Sequence, residues 1–249
     1  MERPDHISVS QVRTYQNCGL QYHFKYFEKI PIRTNDAMLR GSSIDKASNE
    51  HFETKAINDT GITENDFVDL AVSEHDTLAD ETEFDITKNE SRDKTANASQ
   101  KYHNIHGQNL IPSRENPTQI KIEEDMGNGQ TFVGYVDLLT EDNRIVDTKV
   151  KARDIVNDVE SDLQLNAYAN FLNVDQVGIA LVTTTKIPKA PFYPGKSSGK
   201  SKQIALKRIR SVSDAIDNNI FLPAAEGSWI CSEKYCNYWN ICDYGAKRK

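Results

Sequence analysis

Two aspartates, Asp137 and Asp147, and a lysine two positions after the second, Lys149, stand in the stretch GYVDLLTEDNRIVDTKV at 134–150. Its β-branched residues and the turn signal EDN at 141–143 predict a hairpin with its tip near 141–144. That register sets Asp137 roughly across from Asp147, and the two-residue period of a strand puts Asp147 and Lys149 on one face. Asp and Lys are poor strand formers, and strands keep charge off an inner face, so their presence needs a reason. A divalent cation beside a phosphate supplies one. Two carboxylates with the carbonyl of Thr148 make a hard-oxygen set suited to Mg²⁺, which keeps waters for a phosphate substrate. One such water could act as nucleophile, with Lys149 orienting it or stabilising the charged transition state. The plainer alternative is surface charge on an exposed sheet face.

Other residues could complete the same centre. The segment DVESDLQLNAYANFL predicts a helix at about 158–172, and Gln164 and Tyr168 fall four apart on one of its faces. A glutamine there could reach a phosphate or a metal-bound water, with the tyrosine one turn on; both are also ordinary residues of an amphipathic helix. Upstream, LRGSSIDKASNE puts Gly41 just before a helix read from about Ser42 onward. The glycine would allow close approach of the backbone. Asp45 is then either a third oxygen ligand or a first-turn acid stabilising the helix N-terminus.

The elements that must position these groups read as an α/β fold. Residues 8–28 predict an aromatic-rich helix with Tyr15, Tyr22 and Tyr26 near one face, most simply as packing. Residues 58–105 are polar and acidic, a helical insertion with loops. Short strand-like segments follow, TQIKIEE, TFVGYVDLLT and NRIVDTKV, then the helix, then the strand VDQVGIALVTTT. That β-β-α-β order suggests an α/β core wrapped by helices.

The chain's 249 residues suffice for one large domain, and its net charge of -7, taken as a sum, argues against a nucleic-acid partner. The distribution says more than the sum. Residues 64–90 hold ten acids and one lysine, whereas 186–213 hold eight Lys/Arg and no acid and could contact phosphates. No run approaches the ~20 apolar residues of a membrane span. The opening MERPDHISVS has no apolar signal-peptide stretch, so a cytoplasmic location is expected.

Four cysteines complete the inventory: Cys18 near the start, and Cys231, Cys236 and Cys242 in the C-x4-C-x5-C run CSEKYCNYWNIC. Disulfides are not expected in an intracellular chain. Four packed thiols, a structural Zn²⁺ site and a [4Fe–4S] cluster remain. One cysteine far upstream of a triplet departs from the paired knuckles of zinc sites and favours the cluster. The six histidines show no compact ligand spacing, and His23 is read as a core or interface residue.

In their order, these motifs resemble the RecB/AddB-like nucleases of the PD-(D/E)XK superfamily, particularly the iron–sulfur group with CRISPR-associated exonucleases and phage homologues. ISVSQVRTYQNCGLQYHFKY is similar to that family's opening pattern and puts Cys18 at its first cluster position. RGSSID stands where the family has its rGxxxH helix. Gly134 to Asp137 matches its GxxD, Asp147-Thr148-Lys149 its D/E-x-K, and QLNAYA its QLxxYa helix. The terminal triplet also matches, and the similarity spans residues 7–50 and 119–242.

The resemblance implies a restriction-endonuclease-like core, a mixed central sheet flanked by helices, with N- and C-terminal segments joined by a cysteine-ligated cluster. It implies a single nuclease domain over 1–249. Within it lie an N-terminal helical region (7–57), a variable acidic insertion (58–115), the catalytic core (116–185), a basic loop and strand region (186–213), and a C-terminal helix with the cysteine segment (214–249). The implied activity is metal-dependent DNA hydrolysis from single-stranded ends. Asp45, Asp137, Asp147 and Thr148 would hold Mg²⁺ or Mn²⁺; Asp137, Asp147, Lys149, Gln164 and Tyr168 would be catalytic; Cys18, Cys231, Cys236 and Cys242 would bind the cluster. Tyr15 or Tyr22 would be available to stack bases at free ends. An endonuclease or flap nuclease of the same chemistry, or a DNA-binding recombination accessory, are the alternatives. A recombination or single-strand-binding protein and a second copy of the chain are candidate partners. Two departures stand out. The family's usual histidine is Asp45 here, a harder ligand that should alter metal preference rather than abolish activity. The x4 gap in the triplet is longer than the family's x2, which raises the zinc alternative.

Overall fold

Local signals place the first elements. In this computed structural model, which describes residues 3–32, 34–127, 129–156 and 158–246, β1 (His6–Ile7) leads into α1 (Val9–Asn17) and α2 (Gly19–Tyr26). The single helix expected at 8–28 is thus two, because Cys18 between them is extended at φ -165° and ψ 112°. Its Sγ accepts the N–H of Gln21 at 3.4 Å, so the cysteine itself caps α2. Then come β2 (Thr34–Asn35), α3 (Asp36–Asn58), α4 (Glu64–Leu78), β3 (Thr82–Glu83) and α5 (Lys88–Tyr102). Strands β4 (Thr118–Asp125), β5 (Thr131–Leu139) and β6 (Arg144–Lys151) precede α6 (Leu163–Phe171). The last elements are β7 (Gln176–Thr183), β8 (Phe192–Lys196) and α7 (Gly199–Asp217).

The chain forms two compact units. The first comprises Met1–Ile32, Glu123–Gly134 and Ile204–Lys249. In it β1 pairs in parallel with the start of β5, His6 with Thr131 and Ile7 with Phe132. The tyrosine stripe packs as expected. The fully buried Tyr22 lies 5.7 Å from Tyr15 and 4.8 Å from Tyr26, ring centre to ring centre. A base cannot stack on Tyr22, which corrects that expectation; the Tyr15 hydroxyl donates to the Ile220 carbonyl. The two chain ends join by direct packing. Leu20 N–H donates to Leu222 O at 3.3 Å, and Phe24 meets Tyr238 at 5.3 Å. A Cβ on Gly19 would lie 2.7 Å from Leu222 N, so this approach requires glycine. The basic region expected as loop and strand becomes β8 and most of α7. Ala205, Ile209, Val212 and Ile216 form the buried stripe of α7, with Lys207, Arg208 and Arg210 exposed.

The second unit comprises Arg33–Ile122 and Tyr135–Gln203. Helix α3 begins at Asp36, capped by the Asn35 side chain accepting the Met38 N–H at 2.9 Å. This corrects the expected start near Ser42. Gly41 lies inside the helix, where an added Cβ would meet open space. Asp45 falls beyond the first turn, where a helix-dipole explanation no longer reaches it. The acidic insertion is largely helical, since Thr63 and Thr87 cap α4 and α5 through the N–H groups of Asp66 and Glu90. Its apolar residues belong to the main core. Phe67, Ala71, Ala98 and Tyr102 pack with Ile44, Ala47 and Phe52 of α3 and with Leu138, Val146, Ala180 and Val182 of the sheet. Each large side chain buried this way contributes about 2 kcal/mol.

That sheet is mixed. β6 runs antiparallel to β5 and parallel to β7, and β8 returns antiparallel on β7. Even-numbered Leu138, Val146, Ala180 and Val182 face the layer of α3, α4 and α5. Odd-numbered Asp147 points to the other face, where α6 lies.

Candidate active site

The hairpin turns at 140–143, with Asn143 at φ 58°, close to the expected tip. The β5–β6 ladder pairs Leu139 with Ile145 and Leu138 with Val146; one step further sets Asp137 opposite Asp147. At that step the N–H of Thr148 donates to Asp137 Oδ2 at 2.8 Å. A carboxylate thus takes a strand's backbone donor, at the point where the two acids meet.

Asp147 is 4% exposed and already surrounded by donors. Lys149 Nζ lies 2.8 Å from its Oδ1 and 2.7 Å from its Oδ2. Gln164 Nε2 donates to Oδ1 at 2.8 Å. Gln164 can do so because Asp162 caps α6, accepting the N–H groups of Gln164 and Leu165 at 2.8 and 3.1 Å. The cap starts the helix at the residue that sends its amide into the site. Tyr168 follows one turn later on α6 and is buried.

Asp45 completes the acidic group from α3, its Oδ2 accepting from Asn49 Nδ2 at 3.3 Å. Burial raises its pKa above the usual carboxylate range; the Asp147 charge adds to this, and the Asn49 bond and Lys149 oppose it. Burial also pushes the Asp137 carboxyl well up, reinforced by the charges of Asp147 and Asp45 and only partly offset by the Thr148 N–H and Lys149. Crowding and burial thus favour the protonated form of Asp137 and Asp45, and an ionised pocket needs more positive charge than one lysine provides. A further cation would supply it.

Two residues that the sequence reading passed over touch this centre. Tyr102, the last residue of α5, is fully buried; its hydroxyl lies 2.9 Å from Thr148 Oγ1 and accepts from Ser48 Oγ at 3.2 Å. Ser48 stands three positions after Asp45 on α3, a helical spacing that could have marked it. Nothing in the polar sequence around Tyr102 marks that residue.

The four cysteines gather elsewhere. Cys18, Cys231, Cys236 and Cys242 line one pocket of the first unit with Leu20, Phe24, Tyr238 and Trp239, and all four are free thiols. Burial raises the Cys236 pKa, and the other three thiols push the same way. Among the described residues no group of three or more His, Cys, Asp or Glu is arranged to hold a metal as it stands. The donor chemistry nonetheless fits at both places: hard carboxylate oxygens suit Mg²⁺ or Mn²⁺, and four thiols suit a soft-metal centre.

Residues 6–243 match the family model of the PD-(D/E)XK nuclease superfamily. The chain belongs to this superfamily. A crystal structure of a candidate exonuclease from Eubacterium rectale is similar in fold, with a TM-score of 0.60 at 14% identity, covering 91% of this chain and 87% of that one. The protein SSO0001 aligns over 97% of this chain and 88% of its own, with a TM-score of 0.46 at 12% identity. No curated protein sequence matches the chain. Superfamily membership supports a nuclease acting on DNA, and the mixed sheet flanked by helices is the core such nucleases use. Among the described residues no helix is long and apolar enough to cross a membrane.

Proposed function

We propose that this protein is a divalent-metal-dependent deoxyribonuclease of the RecB/AddB-like kind, removing nucleotides from the ends of single-stranded DNA. The observation that carries the reading is the convergence of Asp45, Asp137, Asp147, Lys149 and Gln164 in a superfamily member. Asp45, Asp137, Asp147 and the Thr148 carbonyl would hold Mg²⁺ or Mn²⁺. When bound, the ion supplies Lewis-acid polarisation of the scissile phosphate and lowers the pKa of a bound water.

The chain's own groups divide the remaining work. Lys149 Nζ, now paired with Asp147, is the positive charge available to orient the attacking water and to stabilise charge on the phosphoryl oxygens. Gln164 holds Asp147 in one orientation through its amide. Attack forms a new P–O bond from water and breaks one ester P–O bond, and the released alkoxide takes up a proton. Tyr168 supports the helix that carries Gln164.

The thiol pocket is read as the seat of a [4Fe–4S] cluster, with structural Zn²⁺ as the alternative, bound by Cys18, Cys231, Cys236 and Cys242. Its contribution is to stability, because binding free energy becomes folding free energy. A cytoplasmic setting, where thiols stay reduced, agrees with this. The test of substrate class uses matched linear and circular single-stranded DNA with Mn²⁺. The reading expects degradation of the linear molecule and survival of the circle; equal loss of both would replace it with an endonuclease.

A further inference from the structure

Resting on the nuclease reading above, we infer that Tyr102 is a positioning residue, its hydroxyl fixing the Asp147-Thr148-Lys149 strand against the helix that carries Asp45. The phenol is the central member of a hydroxyl chain, buried at Ser48 and Tyr102 and half-buried at Thr148, with steps of 3.2 and 2.9 Å. Each end abuts the acidic group. Ser48 lies on the face of α3 that follows from Asp45. Thr148 separates Asp147 from Lys149, and its N–H holds the Asp137 carboxylate at 2.8 Å. One hydroxyl therefore ties together the segments that carry all three acids.

Those segments need a tie. The β5–β6 ladder covers Leu138 and Leu139 and gives way to a side-chain acceptor at Asp137, so backbone pairing alone does not fix Thr148 against β5. Asp45 arrives from a separate helix, and its charge opposes ionisation of Asp137 as that of Asp147 opposes its own. A neutral hydroxyl bridge holds like charges together without adding to them. Tyr102 suits this because its ring is anchored on Phe67, 6.0 Å away, and on His106, 5.0 Å away, leaving the hydroxyl little freedom. The anchor sits in the acidic insertion, a stretch with no acid, base or metal ligand assigned to the reaction.

Partners that orient metal ligands are worth about 10- to 100-fold in metal affinity. The test is Mn²⁺ binding by calorimetry on the full chain, beside single-stranded DNA cleavage resolved into kcat and KM. Tyr102→Phe keeps the ring and removes the bridge; it should raise the Mn²⁺ Kd about tenfold and lower kcat about tenfold, with KM for DNA unchanged. Thr148→Val, which keeps the volume and the backbone, should give the same pattern. The double variant should be no worse than Tyr102→Phe, which already removes the bond to Thr148 along with the one to Ser48. A lowered melting temperature with unchanged Mn²⁺ affinity and kcat in both variants would overturn the inference and leave the nuclease reading intact. A wild type that neither binds Mn²⁺ nor cleaves DNA would overturn both.

Discussion

The thiol pocket and the acidic centre solve opposite problems. In the first unit, four thiols stand among Leu20, Phe24, Tyr238 and Trp239, and burial keeps Cys236 protonated. Charge is avoided there, and packing already joins the chain ends through Leu20, Leu222, Phe24 and Tyr238. In the second unit, three acids are driven together and repel one another, held by Lys149, Gln164, the Thr148 N–H and the Tyr102 bridge. A pocket of neutral thiols suits a stabilising role. A pocket whose carboxyls are pushed toward the protonated form suits chemistry, because a bound cation would displace those protons.

Substitutions should separate the two. The largest effect belongs to Asp147→Asn, which removes the proposed metal ligand and the charged partner of Lys149 while keeping shape. Cleavage rates in Mg²⁺ should fall by about 10³-fold or more with the circular dichroism spectrum unchanged. Full activity in that variant would put the chemistry elsewhere. Cys231→Ala should act in the opposite sense. Protein purified anaerobically should lose its absorbance at about 400 nm and melt about 10 °C lower, with the remaining folded fraction still cleaving DNA. A coloured Cys231→Ala protein with an unchanged melting temperature would remove Cys231 from the ligand set.

A smaller effect tests the second unit by acid. His51 is 1% exposed, its Nε2 is 3.0 Å from the Gly107 carbonyl, and burial lowers its pKa to about 4 from 6.5. Between those values the unfolded chain carries the proton and the folded one does not, so stability rises with pH across the window. The cost appears as pH falls below 6.5, reaching at most about 3 kcal/mol near pH 4. Urea midpoints measured at pH 7.5 and 5 should differ, and His51→Gln should narrow the difference. An unchanged gap in His51→Gln would assign the acid sensitivity to other groups.

How far the sequence carries depends on whether a signal is local. The pairing of Asp137 with Asp147 was legible because a tight hairpin and a two-residue period fix register within twenty positions. Gln164 was legible because its four-residue spacing from Tyr168 sets both on one helical face. The entry to α3 was misread because Asn35, an adequate cap, lies several positions before the glycine that seemed to announce the helix. That error made Asp45 look like a dipole-stabilising acid, and the corrected start leaves its proximity to Asp147 as the better account. Histidines without ligand spacing still meet in space, His51 and His103 at 4.8 Å between rings. Tyr102 was illegible for the same reason. Its partner Thr148 is 46 positions away, and the polar sequence around it reads as solvated surface. Long-range packing, not local propensity, gives such residues their meaning.

The measurement closest to the central claim is cleavage of 5′-labelled and 3′-labelled linear single-stranded DNA, run side by side with Mg²⁺, with Mn²⁺ and with chelator. Stepwise shortening from one labelled end, in either metal and never with chelator, is the predicted result and gives the polarity directly. Folded, metal-replete protein that leaves both labels intact would contradict the account and make the acidic centre a relic of the superfamily's chemistry.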